Sequence, residues 1–190
     1  MSLVSTDWLE KNINEVKILD ASWHMPNTQR NGYEEYKKDH IKNSIFFDID
    51  KFSNKKTNLP HMLPDSSEWE KIVSSLGISN DDQIIVYDNS DVISSCRCWY
   101  TFIFFGHNPN LVSVLNGGLF KWKKEDKTFI EKNLIKEKFT KIGINNEKNV
   151  VFSCGSGITA AVLGLAYSMI NDKYLPAVYD GSWAEYGKVK

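Results

Sequence analysis

Arginine is nearly absent from this sequence, since Arg30 and Arg97 are the only two among 23 basic residues. Arginine is the usual bidentate ligand for carboxylates and other oxyanions, so few such clamps are available. The formal net charge of -1 gives no electrostatic reason to expect a nucleic-acid or membrane-surface partner. The apolar runs are too short to cross a bilayer, and no signal peptide is evident at the start of the chain.

Cysteine is also scarce, and the three residues Cys96, Cys98 and Cys154 are too few for a disulfide framework. Cys96 and Cys98 have no second Cys/His pair at zinc-finger spacing, so we expect no structural metal site and no cofactor. Both are predicted to pack in a helix that begins near Ser94. These features fit a reducing compartment, and we expect a cytoplasmic protein.

The rest of the chain alternates between apolar strand-like runs and helical patterns, which predicts an α/β fold. Such alternation favours a mostly parallel sheet flanked by helices, with ligands at the carboxyl ends of the strands. The predicted strands are residues 16–23, 43–50, 83–88, 111–118 and 150–152, and the predicted helices are residues 5–12, 33–40, 66–76 and 96–105.

The most informative stretch is Val150–Gly164, in which an apolar run stops at Cys154. A loop rich in glycine and hydroxyl groups follows, and then a helical pattern. Strand, tight loop and helix together direct backbone N–H groups at one point, where a cysteine is expected to be partly ionised and nucleophilic. The alternative is a strand-end cysteine that packs as a small hydrophobic residue. The Gly-Ser-Gly composition favours the nucleophile, because it fills a core poorly.

Part of the sequence is repeated. Residues Leu76–Ser90 align without a gap on residues Ile142–Ser156, so that Asp88 stands in the first copy where Cys154 stands in the second. An aspartate cannot act as a sulfur nucleophile. The alignment therefore predicts a duplicated fold. The site of the first copy lacks the nucleophile and is called silent, and the site of the second copy has it and is called live.

A second repeated segment follows, in which Val114–Gly118 corresponds to Ala177–Gly181. We expect a first unit at residues 1–125, with the silent site, and a partial second unit at residues 126–190.

The second unit is short, because it lacks counterparts of the strands at Asp20 and Phe47. A piece with about two strands is unstable alone, so it must lean on the first unit, on another chain or on a missing segment. An apolar surface left by the missing strands predicts self-association as a homo-oligomer.

These motifs together resemble the two-domain rhodanese-like sulfurtransferases, and among them the 3-mercaptopyruvate sulfurtransferase branch. The thiosulfate-type members typically carry basic residues in the loop, whereas the Gly-Ser-Gly-Ile-Thr loop here is similar to the mercaptopyruvate type. The matching segments include Asp20–Trp23, Phe47–Asp50, His61–Pro64, Arg97 with Trp99, Phe105–His107, Cys154–Ala160 and Tyr179–Trp183.

The resemblance implies a mechanism in which the Cys154 thiolate takes sulfur from 3-mercaptopyruvate or thiosulfate and becomes a persulfide. The outer sulfur then passes to cyanide or to a thiol, such as that of thioredoxin. Ser156 is implied to work with His61 and Asp50 as catalytic partners. The loop residues implied to bind the substrate through their backbone N–H groups are Gly155, Gly157, Ile158 and Thr159.

Other interpretations remain open. His61 is otherwise a surface-loop histidine beside a strand-end aspartate. The family's carboxylate-binding arginines belong to the missing half, and Arg97 is expected to hold the first-unit helix instead. A noncatalytic binding or remnant module is therefore the main alternative. A cysteine phosphatase is a third, although it requires an arginine at the end of the loop, where Thr159 and Ala160 stand.

Overall fold

The computed structural model describes residues 2–124, 132–144, 149–171 and 173–188, and its centre is a five-stranded parallel sheet. The strand order is β1-β5-β4-β2-β3, and all four pairings are parallel. This confirms the predicted α/β class. The strands are β1 (Leu3–Val4), β2 (Lys17–Asp20), β3 (Ser44–Phe46), β4 (Ile84–Tyr87) and β5 (Val112–Leu115).

Helices connect and cover these strands, and side-chain caps fix where several of them begin. Ser5 accepts a hydrogen bond from Trp8 N at the start of α1, and Asp65 accepts one from Glu68 N at the start of α3. The helices are α1 (Thr6–Asn12), α2 (Gly32–Lys38), α3 (Ser66–Ser75), α4 (Ser95–Phe104), α5 (Gly118–Lys124), α6 (Lys132–Lys141), α7 (Ala160–Ser168) and α8 (Ser182–Tyr186). In the described part of the chain, no helix is long and apolar enough to span a membrane.

The sheet is covered on both faces, because successive residues of its strands enter two different cores. In β4, Ile84 and Val86 join a large cluster with α3 and α4, whereas Ile85 and Tyr87 join a smaller cluster with Leu9 of α1. Cys96 and Cys98 lie buried in α4, as predicted. The buried strands of the sheet therefore form the rigid base of the first unit.

The second unit departs from the predicted strand at residues 150–152. Phe152 makes only an isolated parallel bridge with Val178, since no further strand lies beside it among the described residues. A ladder needs partners on its hydrogen-bonding edges, and the counterpart of β2 is missing here. The apolar residues Phe129, Leu134, Ile135 and Phe139 predict one further helix. Helix α6 contains the last three, and Phe129 lies outside the described residues.

The second unit packs against the first. Phe139, Phe152 and Tyr167 belong to the same core cluster as Tyr100 of α4. The Tyr100 hydroxyl also lies within hydrogen-bond distance of the backbone of Val178. Of the three supports considered from the sequence, the structure therefore supplies contact with the first unit.

The turn after β5 shows that the alignment of Val114–Gly118 on Ala177–Gly181 is wrong by one residue. Leu119 N donates to the carbonyl of Asp88, and Trp183 N donates in the same way to the carbonyl of Cys154, each at 2.9 Å. Gly118 is therefore the counterpart of Ser182 rather than of Gly181. The sequence alignment pairs Gly118 with Gly181. The backbone instead pairs Gly118 with Ser182, since both are left-handed, with φ values of 55° and 45°.

Candidate active site

Cys154 lies just beyond the Phe152 bridge, in the loop that leads into α7. The N–H of Gly157 donates to its sulfur at an N···S distance of 3.1 Å. Gly157 has a φ of 83°, a left-handed conformation that favours glycine and turns its N–H toward the thiol. The side chain is partly buried, whereas Gly155 and Thr159 beside it are exposed. Cys154 is thus partly exposed, and its sulfur accepts a hydrogen bond from the loop.

Two opposing effects act on the pKa of Cys154. Burial is the largest single effect and raises it, but the hydrogen bonds to the sulfur together outweigh burial, so that the pKa lies below that of an ordinary cysteine. The donors are the side chain of Thr159 and the backbone N–H groups of Ala160, Ser156 and Gly157. By contrast, burial raises the pKa of Cys96 and Cys98. Cys154 is therefore the most readily ionised of the three thiols.

The donors differ in part from those expected. Ala160, the first residue of α7, donates its N–H although it is not among the four loop residues expected to bind through theirs. Ile158 has a buried side chain in the core, and the carbonyl of Gly155 accepts a hydrogen bond from Ala184 N. Binding of substrate by Gly155, Gly157, Ile158 and Thr159 remains a prediction.

The structure brings Ser156, His61 and Asp50 into one hydrogen-bonded chain. Nδ1 of His61 lies 2.9 Å from Oγ of Ser156, and Nε2 of His61 lies 3.2 Å from a carboxylate oxygen of Asp50. Because a carboxylate only accepts, Nε2 carries a proton, and in the neutral ring Nδ1 accepts from the serine hydroxyl. The hydrogen bond from His61 is the main reason that the pKa of Asp50 is lowered.

Trp23 fixes this arrangement from the first unit. Its indole N–H donates to the other oxygen of Asp50 at 3.0 Å, and its ring meets the His61 ring edge to face at a centroid distance of 4.8 Å. Trp23 belonged to a matched motif, but nothing in the pattern indicated its contact with either catalytic candidate.

Arg97 joins the two units, which differs from the expected role of holding the first-unit helix. Its Nη2 donates both to the carboxylate of Asp180 and to the backbone carbonyl of His61. The second oxygen of Asp180 accepts from Leu63 N at 2.6 Å. The Arg97 side chain is 3% exposed, and within the described residues its Nη1 has no hydrogen-bond partner. One buried ion pair therefore holds the histidine loop beside the turn that precedes α8.

In chemical terms, the site holds a partly exposed thiol, a set of hydrogen-bond donors around it and a hydrogen-bonded chain of Ser156, His61 and Asp50. Among the described residues, no group of three or more His, Cys, Asp or Glu side chains is placed to hold a metal ion. The arrangement suits covalent catalysis on sulfur, with developing negative charge held by N–H groups.

Comparison with known proteins assigns the chain to a family through its first 125 residues. The model of the rhodanese-like domain matches residues 5–125. Thiosulfate/3-mercaptopyruvate sulfurtransferase 1, mitochondrial, of Arabidopsis thaliana is 48% identical over 123 residues, covering 64% of this chain and 32% of that protein. Thiosulfate sulfurtransferase of Bos taurus is 41% identical over 132 residues, covering 65% of this chain and 43% of its own length. The chain thus spans less than half of these relatives.

A bacterial relative matches almost end to end. The 3-mercaptopyruvate sulfurtransferase of Escherichia coli K12 is 27% identical over 269 positions, covering 97% of this chain and 94% of its own length. The crystal structure of SseA from Escherichia coli superimposes with a TM-score of 0.85 at 25% identity, covering 97% of this chain and all of that one. Because 269 positions exceed the 190 residues here, that relative has residues without counterparts in this chain. On its fold and on the family match, this chain belongs to the rhodanese-like domain family.

Proposed function

We propose that this protein is a sulfurtransferase that carries a sulfur atom on Cys154 as a persulfide. The donor is 3-mercaptopyruvate or thiosulfate, and the acceptor is cyanide or a thiol. The observation that carries the proposal is the placement of the Cys154 sulfur against the Gly157 N–H, in a thiol whose pKa is lowered. Relatives named for both donors support this reaction class.

With 3-mercaptopyruvate, the thiolate of Cys154 attacks the substrate sulfur, an S–S bond forms and the C–S bond breaks. The electrons of the C–S bond leave as the enolate of pyruvate, and the proton of the substrate thiol ends on the pyruvate methyl group. The N–H groups that hold the thiolate then hold the outer, anionic sulfur of the persulfide. The Ser156–His61 contact supplies a path for the proton, with Asp50 orienting the ring.

The finer assignments belong to the same proposal. A thiol acceptor such as thioredoxin reaches the sulfur from the side of the exposed residues Gly155 and Thr159. The cytoplasm is the proposed compartment, since the three cysteines are free, although one plant relative is named as mitochondrial. The division into a silent first unit and a live second unit is supported by the matching hydrogen bonds at Asp88 and Cys154.

The test is the release of pyruvate from 3-mercaptopyruvate by the whole chain and by Cys154→Ser. We expect turnover in the wild type and none in the variant, because serine is a far poorer nucleophile toward sulfur. Cys98→Ala, a change at a buried thiol outside the site, serves as the matched control and keeps the activity. Formation of thiocyanate from thiosulfate and cyanide shows which donor is preferred. Absence of Cys154-dependent turnover with both donors contradicts the proposal.

A noncatalytic binding module is the second candidate, and the state of the two arginines favours it. Arg30 is engaged with Glu35 and Asp91, and Arg97 with Asp180, so each guanidinium group already has a carboxylate partner within the chain. If this candidate is correct, the chain binds 3-mercaptopyruvate weakly or not at all, and Cys154 acquires no sulfur from it. Titration calorimetry with Cys154→Ser measures that binding apart from any chemistry.

A further inference from the structure

Ser182 has a backbone conformation that serine rarely adopts. It begins α8 with a φ of 45°, in the left-handed region, and is 0% exposed. A residue with a Cβ is strained there, and such strain persists only where the surroundings hold it. Glycine would make the same turn without strain.

The first unit shows that the turn itself does not require serine. The counterpart of Ser182 is Gly118, with a φ of 55°. The next residue in each unit, Leu119 or Trp183, donates its N–H to the carbonyl of Asp88 or of Cys154. The two units thus build one turn, with glycine beside the silent residue and a strained serine beside the nucleophile.

The hydrogen bonds of the Ser182 hydroxyl explain why a serine occupies this strained position. The hydroxyl donates to the carbonyl of Tyr179 at 2.7 Å and accepts from the backbone N–H of Cys154 at 3.3 Å. Trp183 N holds the carbonyl of Cys154 at the same time. Consecutive residues therefore hold both backbone polar groups of the nucleophile, which fixes the direction in which its Cα–Cβ bond points.

We propose that Ser182 is a positioning residue, whose hydroxyl fixes the backbone of Cys154 so that the sulfur stays against the N–H groups of the loop. Its importance for turnover rests on the proposed function, whereas its effect on the thiol does not. Without the hydroxyl, the N–H of Cys154 loses this partner and its backbone is held by Trp183 alone, so that the sulfur loses part of its contact with the N–H of Gly157.

The test compares Ser182→Gly and Ser182→Ala with the wild type in the whole chain. The rate of alkylation of Cys154 by iodoacetamide is followed by peptide mass spectrometry across pH, and thermal unfolding is recorded for each protein. We expect the alkylation midpoint to rise in both variants, by about half a pH unit or more. Thiolate reactivity at pH 7 is expected to fall about fivefold, which corresponds to loss of one hydrogen bond.

The two variants separate positioning from stability. Ser182→Gly removes the hydroxyl and the strain together and is expected to unfold at a higher temperature than Ser182→Ala, which keeps the strain. Unchanged alkylation midpoints in both variants overturn the proposal, even if their unfolding temperatures differ. A raised midpoint in a chain that transfers no sulfur leaves the positioning role standing and refutes the proposed function alone.

Discussion

His61 occupies a strained position that only its contacts explain. Its φ of 58° is left-handed, and its ring is held by Ser156, Asp50 and the edge of Trp23. The resemblance stated from the sequence predicts that His61, Ser156 and Asp50 lie together. The backbone strain and the tryptophan contact do not follow from it, because both depend on how a loop between two prolines folds back onto the second unit.

At this scale we expect His61→Ala to lower kcat for 3-mercaptopyruvate by roughly 100-fold or more, the usual range for loss of a general acid–base group. The fold is expected to persist, since the site lies in a loop outside the sheet. Steady-state kinetics measures the effect. His40→Ala, at an exposed histidine, is the control and leaves kcat unchanged. If the two alanine variants behave alike, His61 has no part in the mechanism.

At the scale of elements, α4 is the part that organises the site. Its residue Arg97 reaches both the histidine loop and Asp180, which precedes α8. The sequence predicted α4 well, because its apolar residues have helical spacing and Gly106 follows its end. The sequence did not predict the ion pair of Arg97 with Asp180, because these residues are 83 positions apart and no local pattern pairs them.

Removal of this ion pair is expected to be costly. Asp180→Asn leaves a guanidinium that is 3% exposed without its counter-charge, and we expect the free energy of unfolding to fall by roughly 3–5 kcal/mol. Urea denaturation measures the change. The matched control is Asp91→Asn, because Asp91 pairs with Arg30 through a side chain that is 80% exposed and its loss costs less than about 1 kcal/mol. Equal stability of the two variants contradicts the importance of the buried pair.

At the scale of the whole molecule, the five-stranded sheet lies within residues 1–125, and later residues such as Phe139 and Phe152 share its larger core cluster. The alternation of strands and helices was enough to predict the parallel sheet of the first unit. The second unit was harder, because strand propensity at residues 150–152 has little effect without the neighbouring strands that would complete a ladder.

The incomplete edge leads to a prediction about assembly. Val151 is 64% exposed, and in the described residues Phe152 is bridged on one side alone, by Val178. We expect two copies to pair at this edge, so that light scattering gives the mass of a dimer. Val151→Lys places a charge on the edge and is expected to give a monomer, whereas Leu163→Lys, at an exposed residue of α7, keeps the dimer. A monomeric mass for the wild type refutes the prediction.

The central claim is that Cys154 carries sulfur, and mass spectrometry of the intact chain tests it most directly. After incubation with 3-mercaptopyruvate or with thiosulfate and removal of excess donor, the wild type is expected to gain the mass of one sulfur atom. Peptide mapping is expected to locate that atom on Cys154, and Cys154→Ser is expected to gain none. Wild-type chain that gains no sulfur on Cys154 from either donor would contradict the account.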